Sequence, residues 1–455
     1  MLSKFKQHSS LFLLVVSVGV IGFINAVFVQ FSGNLEFSHE VLGIVPIFLV
    51  GIMFLIGTIC NSLSRGTIFP SFLVALFIGL SMHDLLKPLI ENTAALNMIV
   101  TVAAVYILFG GGLEISFSNF KKIVLPTLLL SFVGLGISTF LFAKGLMVLG
   151  ALSGVGMTVS IALLLGAMLA STDPAAIIPV LKEIKFKKEA IKDIVVSESA
   201  LTDVTGTLVT VAFVAYVTVT GSFSGITDGF FALGSKDSLL FLLKEIGVGV
   251  SVGIVGFYAL RFFMRQKMIR NECHADIGFF IAVPVIAFAF AALFGGSGYL
   301  ASFIAGLLIV LHEKVHKTET FFNQLVEGVA KPSVFVLLGA MVDVGVLMKY
   351  ALFGIVAGVV FVFIVRPISV FISLGFLGKK NGFSVKEMLF MSWVRETGVI
   401  PAVLLVQTAH SGLAIFNQQG AAELMVSVGM WVIMMTLLVQ PPLTRWVAER
   451  LGVGE

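Results

Sequence analysis

The chain has 455 residues, 58% of them hydrophobic and 12% charged, with a formal charge of +4 and a mean hydropathy of +1.08. The charged share is roughly half that of an average soluble domain, which excludes a soluble globular enzyme and places the chain in lipid. The net charge reads as membrane topology and not as a nucleic-acid partner. Cys60 and Cys273 stand outside any CxxC or Cys/His metal spacing.

In chain order, hydrophobic segments are predicted at 11–31, 41–59, 67–81, 94–113, 124–145, 155–181, 194–220, 239–264, 275–293, 297–311, 331–347, 350–378, 387–408 and 423–443. Each is read as one crossing of a hydrocarbon core of about 30 Å, which makes fourteen spans. With Lys4 and Lys6 placed in the cytoplasm, the loops alternate between basic and non-basic. The cytoplasmic set includes Lys121, Lys122, Lys185, Arg265, Lys317, Lys331, Lys380 and Arg445, and both termini fall inside. The first apolar run, about 20 residues, is long for a secretory signal. Residues 1–35 are therefore expected to be a retained transmembrane helix, and 36–455 a membrane domain with no soluble C-terminal domain.

The segment at 155–181 carries Ser171-Thr172-Asp173-Pro174. Proline removes a backbone donor and disfavours helix for the residue before it, so a break is predicted at Thr172-Asp173. Broken backbone at membrane depth is tolerated where it lines a cavity, and its free carbonyls suit ion coordination. Asp173 also suits the cap of a second half-helix, and capping and ion binding can coexist.

The next segment contains Ser197-Glu198-Ser199-Ala200-Leu201-Thr202-Asp203. Helical spacing puts Ser199 and Asp203 on one face with Thr202 beside them. Such an oxygen-rich face suits a hard cation. Glu198 reads instead as a structural acid whose partner is Arg366, held beside Pro367 deep in an apolar run. An arginine at mid-bilayer costs at least about 2.5–3.5 kcal/mol and needs such a partner.

A second interruption is expected at Trp393-Val394-Arg395-Glu396-Thr397-Gly398-Val399-Ile400-Pro401. Two interrupted segments, one in each half of the chain and of opposite direction, point to inverted repeats that cross at a binding site. Arg395 would be a structural arginine or a gate. The runs Gly110-Gly111-Gly112 and Gly295-Gly296-Ser297-Gly298 lack the context of a phosphate-binding loop and read as close packing and a turn.

Taken together, these pieces resemble the cation:proton antiporters, and within them the sodium/proton exchanger branch. The matching residues are Thr172-Asp173-Pro174, the ESxxxD core from Glu198 to Asp203, GSGYLASFIAGL from Gly295, VRPISVF from Val365 and the broken segment around Arg395. They follow the family order over nearly the whole chain. The resemblance implies an all-α polytopic membrane protein of about fourteen segments: a thirteen-helix core plus one N-terminal helix, with inverted repeats and two broken crossing helices. It further implies dimer and transport subdomains, elevator-like alternating access, a homodimer in the cell's inner or plasma membrane, and no cofactor.

Carried over, Asp203 would bind cation and proton in turn, with Asp173, Ser199, Thr172 and Thr202 assisting. Glu198 and Arg366 would be the structural pair, and Pro174, Arg395 and Gly398 would belong to the crossing. Two positions depart from the branch: Thr202 stands where Asn is usual, and Gly110 where Glu is often found, while Gly112-Leu113-Glu114 looks more like the potassium-efflux branch. The expected function is electroneutral exchange of sodium for protons, with potassium/proton exchange as the alternative. An intramembrane aspartyl protease is the alternative of another class, weakened by the absence of a Gly-x-Gly-Asp sequence and by the proline after Asp173.

Overall fold

The computed structural model describes residues 71–114, 120–172, 184–234, 236–268, 276–312, 322–375 and 382–454, with isolated positions elsewhere. Segments 11–31 and 41–59, the helix expected over 1–35, and Asp173 and Pro174 lie wholly or almost wholly outside them. In chain order the helices are α1 (Ser71–Ser81), α2 (His83–Glu91), α3 (Thr93–Glu114), α4 (Phe120–Leu128), α5 (Leu135–Ser153), α6 (Val159–Leu169) and α7 (Glu189–Thr220). Next come α8 (Ile226–Gly234), α9 (Lys236–Met268), α10 (Asp276–Leu293), α11 (Gly298–His312), α12 (Lys331–Ala340) and α13 (Val344–Lys349). The last are α14 (Ala351–Val360), α15 (Arg366–Gly375), α16 (Val385–Trp393), α17 (Val399–Ala409) and α18 (Ala421–Leu451). Among the described residues there is no strand, only an isolated bridge between Phe186 and Gly454.

Six described helical stretches are long and apolar enough to cross a membrane, seven if a bent pair counts as one. Each predicted segment from 94 onward meets helix. The one predicted at 67–81 meets α1 up to Ser81, residues 67–70 lying outside the described ones; beyond it the chain turns by 89° at Met82 into α2, a helix outside the predicted segments. His83 fixes that corner, its Nδ1 lying 2.7 Å from the Ala340 carbonyl at the end of α12.

Without a hydrophobic drive between helices in lipid, close approach depends on small residues. A Cβ on Gly79 would stand 2.1 Å from the Val336 carbonyl, and one on Gly339 would stand 2.2 Å from the Leu76 carbonyl. That reciprocal crossing presses α1 against α12. Gly112 and Gly306 do the same for α3 and α11, against the carbonyls of Phe303 and Phe109.

Among the described residues three stretches are π-helical: Leu129–Gly134, Val326–Ala330 and Phe361–Val365. The last two run directly into Lys331-Pro332 and Arg366-Pro367. A proline ring clashes with the carbonyl four residues back, and one wider turn relieves that clash without ending the helix. Both basic residues are thereby carried into the interior. For Lys331 this corrects the expectation of a cytoplasmic loop: it opens α12 and is only 6% exposed, its ammonium 2.7 Å from Glu327 one turn earlier.

Candidate functional site

The first interruption falls earlier than proline alone predicts. Helix α6 starts at a Thr158 cap, whose hydroxyl accepts from Ile161 N, and ends at Leu169, leaving Ser171 and Thr172 non-helical. The break precedes Thr172-Asp173 because α7 takes over the polar groups of these two residues. Thr202 Oγ1 accepts from Thr172 N at 3.3 Å, and Ser199 Oγ donates to the Thr172 carbonyl at 2.6 Å. Because the Thr202 hydroxyl donates to the Ser199 carbonyl at 2.9 Å, the Thr172 hydroxyl must donate in the 2.8 Å contact between the two threonines. Every hydroxyl in this knot has a direction.

Asp203 sits beside it. Ser171 Oγ donates to Asp203 Oδ1 at 2.5 Å, and the residue is 7% exposed. Gly206, one turn on, eases the close approach here, since a Cβ there would stand 3.1 Å from Ser171 Cβ. The structure thus brings Asp203, Ser199, Thr202 and Thr172 together, with Ser171 added. Asp173 and Pro174 fall outside the described residues.

Asp203 and Ser199 line a cleft together with Asn323, Glu327 and Lys331 and with Gly110 and Gly111 of α3. About nine residues back along α3, or about 13 Å of helix, the packing is closed by Gln407 of α17. Its amide donates to Thr101 Oγ1 at 2.9 Å and to Tyr299 Oη at 2.8 Å.

Glu198 and Arg366 are not among the residues that line the cleft. One guanidinium nitrogen, Nη2, lies 2.7 and 2.8 Å from the two Glu198 oxygens, and the side chains are 2% and 1% exposed. Ser131 in the first π stretch donates to the Glu198 carbonyl at 3.3 Å, and Thr205 donates to the Ser131 carbonyl at 3.0 Å.

The second interruption spans Val394 to Gly398, between α16 and α17. Helix α16 opens on a capping box of Ser384 and Glu387, and Glu387 also holds Lys188, just before α7, at 2.8 Å. Helices α17 and α6 pack against each other, so the two interrupted segments meet. Arg395 is 2% exposed; it donates to Ser138 Oγ at 3.3 Å and lies 5.8 Å from the centre of the Phe361 ring. Thr397 N donates to Thr436 Oγ1 at 3.1 Å, and Gly398 caps α17. Arg395 and Gly398 belong to this second break, not to the knot around Asp203.

Sequence reasoning singled out neither Ser131 nor Ser138, and it left Glu327 and Lys331 out of the site. The one available signal for the last pair was Glu and Lys at i, i+4 running into proline.

The sequence profile of the family described as "Sodium/hydrogen exchanger, transmembrane" matches residues 50–450. The K(+)/H(+) antiporter NhaP of Alkalimonas amylolytica is 27% identical over 378 residues, covering 79% of this chain and 60% of that protein. This chain therefore spans about three fifths of that relative's length. The Na(+)/H(+) antiporter 1 of Methanocaldococcus jannaschii is 26% identical over 381 residues, covering 78% of this chain and 82% of that protein. The structure of the sodium proton antiporter MjNhaP1 from Methanocaldococcus jannaschii at pH 8 superposes with a TM-score of 0.70 at 19% identity, over 88% of this chain and 99% of that one. That last likeness is one of fold.

Proposed function

The chain belongs to the sodium/hydrogen exchanger family, and on that premise we propose that it exchanges a monovalent cation for protons, one for one, with Asp203 holding the two in turn. The observation that carries this reading is the placement of Asp203: a nearly buried carboxylate at a helix interruption, on the wall of a cleft. The Ser171 hydroxyl bonds to it, and Ser199, Thr172 and Thr202, close to these two along the chain, are knotted to one another. A hard cation in such a place is held by carboxylate, hydroxyl and carbonyl oxygens together. Of these, the Ser171 hydroxyl donates to Asp203 and must turn to offer its lone pair when a cation arrives. Asp173, next to Thr172 in the sequence, is assigned an assisting role on the family resemblance.

The knot between Thr172 and Thr202 fixes the backbone around the ion. Glu198 and Arg366 hold α7 to α15 and do not take part in exchange, since a transported ion needs a carboxylate free to change partners. Arg395 offsets the half-helix ends at the second break. A single exchanging acid makes the cycle electroneutral. The working unit is a homodimer in the cell membrane with both termini cytoplasmic, a reading supported by the family resemblance and the sorting of basic loops. Family membership removes the protease alternative.

The proposed cation is sodium. Potassium is the second reading, favoured by the name of the Alkalimonas relative. In proteoliposomes with an internal pH dye, the wild type should move protons against added sodium or potassium, and an imposed membrane potential should not change the rate. Asp203→Asn should abolish the movement while the protein remains folded. Exchange retained by Asp203→Asn would overturn the assignment.

A further inference from the structure

We propose that the Glu327–Lys331 pair sets the pH window of exchange, by fixing the electrostatic field that any positive occupant of Asp203 must meet. The inference rests on the reading of Asp203 given above.

Lys331 is buried to 94% by its 6% exposure and lines the same cleft as Asp203 and Ser199. Its ammonium lies 2.7 Å from Glu327, whose side chain is 43% exposed while that of the lysine is 7% exposed. The cation is thus the inner member of the pair and the acid the outer one. Between charges in a partly desolvated cleft, interactions are several times stronger than in bulk water.

The other described charged groups on helices packed against α7 do not line this cleft. Glu198 and Arg366 hold each other, and Glu387 holds Lys188. Asp228 accepts from the loop amides of Ser224 and Gly225. Lys144 on α5, Lys386 on α16, and Lys236, Lys244, Glu245 and Arg261 on α9 lie elsewhere. Arg395 and Glu396 are buried in the second interruption, which sends no residue into the cleft. Asp173 lies outside the described residues.

A fixed positive charge opposes a proton and a monovalent cation at Asp203 alike. For two rivals at one site, the apparent cation KM has two limbs when plotted against pH. At high pH it is a plateau equal to the true cation affinity. At low pH it rises, and its height depends only on the ratio of cation affinity to proton affinity. Removing the Lys331 charge strengthens both affinities by the same factor. The plateau therefore falls, the break between limbs moves to higher pH, and the acid limb stays where it was. Removing the Glu327 charge leaves the ammonium less opposed and does the reverse.

The test is apparent KM for sodium against pH in proteoliposomes of the full chain. Lys331→Gln should lower the plateau about fivefold and shift the break up by about 0.7 pH unit, with the acid limb superimposed on wild type. Glu327→Gln should raise the plateau and shift the break down, and Lys331→Arg, which keeps the charge, should match wild type. A packing role alone would instead lower the maximal rate or the yield of folded protein, with Lys331→Arg affected too. The proposal is overturned if the plateaus of the two Gln variants move in the same direction or stay put. A wild type without exchange, or an active Asp203→Asn, would sink the underlying reading; a normal wild type with unmoved Gln variants would sink only this inference.

Discussion

Arg366-Pro367 and Lys331-Pro332 solve the same local problem and end in different roles. Each places a basic residue before a proline, each follows a five-residue π stretch, and each holds a glutamate at 2.7 Å. The difference lies in where the glutamate comes from. Arg366 reaches Glu198 on a distant helix, and both side chains are sealed at 1% and 2% exposure. Lys331 pairs within its own turn, so the bond ties no helices together and leaves the charges on the wall of a cleft. An ion pair between elements builds architecture, whereas one within an element is free to act on a neighbour.

The comparison breaks if the two pairs respond alike to charge removal. Arg366→Met should cost about 3–5 kcal/mol by stranding Glu198 in a dry interior, read as a large fall in the thermal midpoint of the detergent-solubilised protein. Adding Glu198→Met to Arg366→Met should recover much of that loss, since apolar residues can replace a buried pair at little cost. Thr202→Val is intermediate: it leaves the buried Thr172 N–H without its acceptor, at about 1–3 kcal/mol, and should weaken cation binding as the interruption loosens. Lys331→Gln should be the mildest, below about 1 kcal/mol, because the half-exposed Glu327 left behind is hydrated. Lys331→Gln as damaging as Arg366→Met would remove the distinction.

Each hydropathy segment from 94 onward fell on helix, because length and apolarity are what a membrane demands of a helix, while the short α8 lay between two of them. The 89° corner at Met82 was not visible, since His83 turns the chain through a carbonyl over 250 residues away. At the site, Ser199 and Asp203 were legible from helical spacing and the need for oxygen ligands. The pairing of Glu198 with Arg366 was expected because a buried arginine requires a carboxylate. The Ser171 contact to Asp203 and the early end of α6 were not, since they depend on which hydroxyls of α7 reach across to a non-helical segment. Lys331 misled for a related reason: a lysine just before a proline reads as a loop residue unless the π turn ahead of it is known.

The central claim is that one carboxylate holds cation and proton by exclusion, and the wild-type protein alone tests it. Apparent KM for the transported cation, measured in proteoliposomes across pH, should rise about tenfold for each pH unit on the acid limb, the linkage slope of one proton displaced per cation. A KM that stays constant as protons accumulate would contradict the account, because cation and proton would then occupy separate groups.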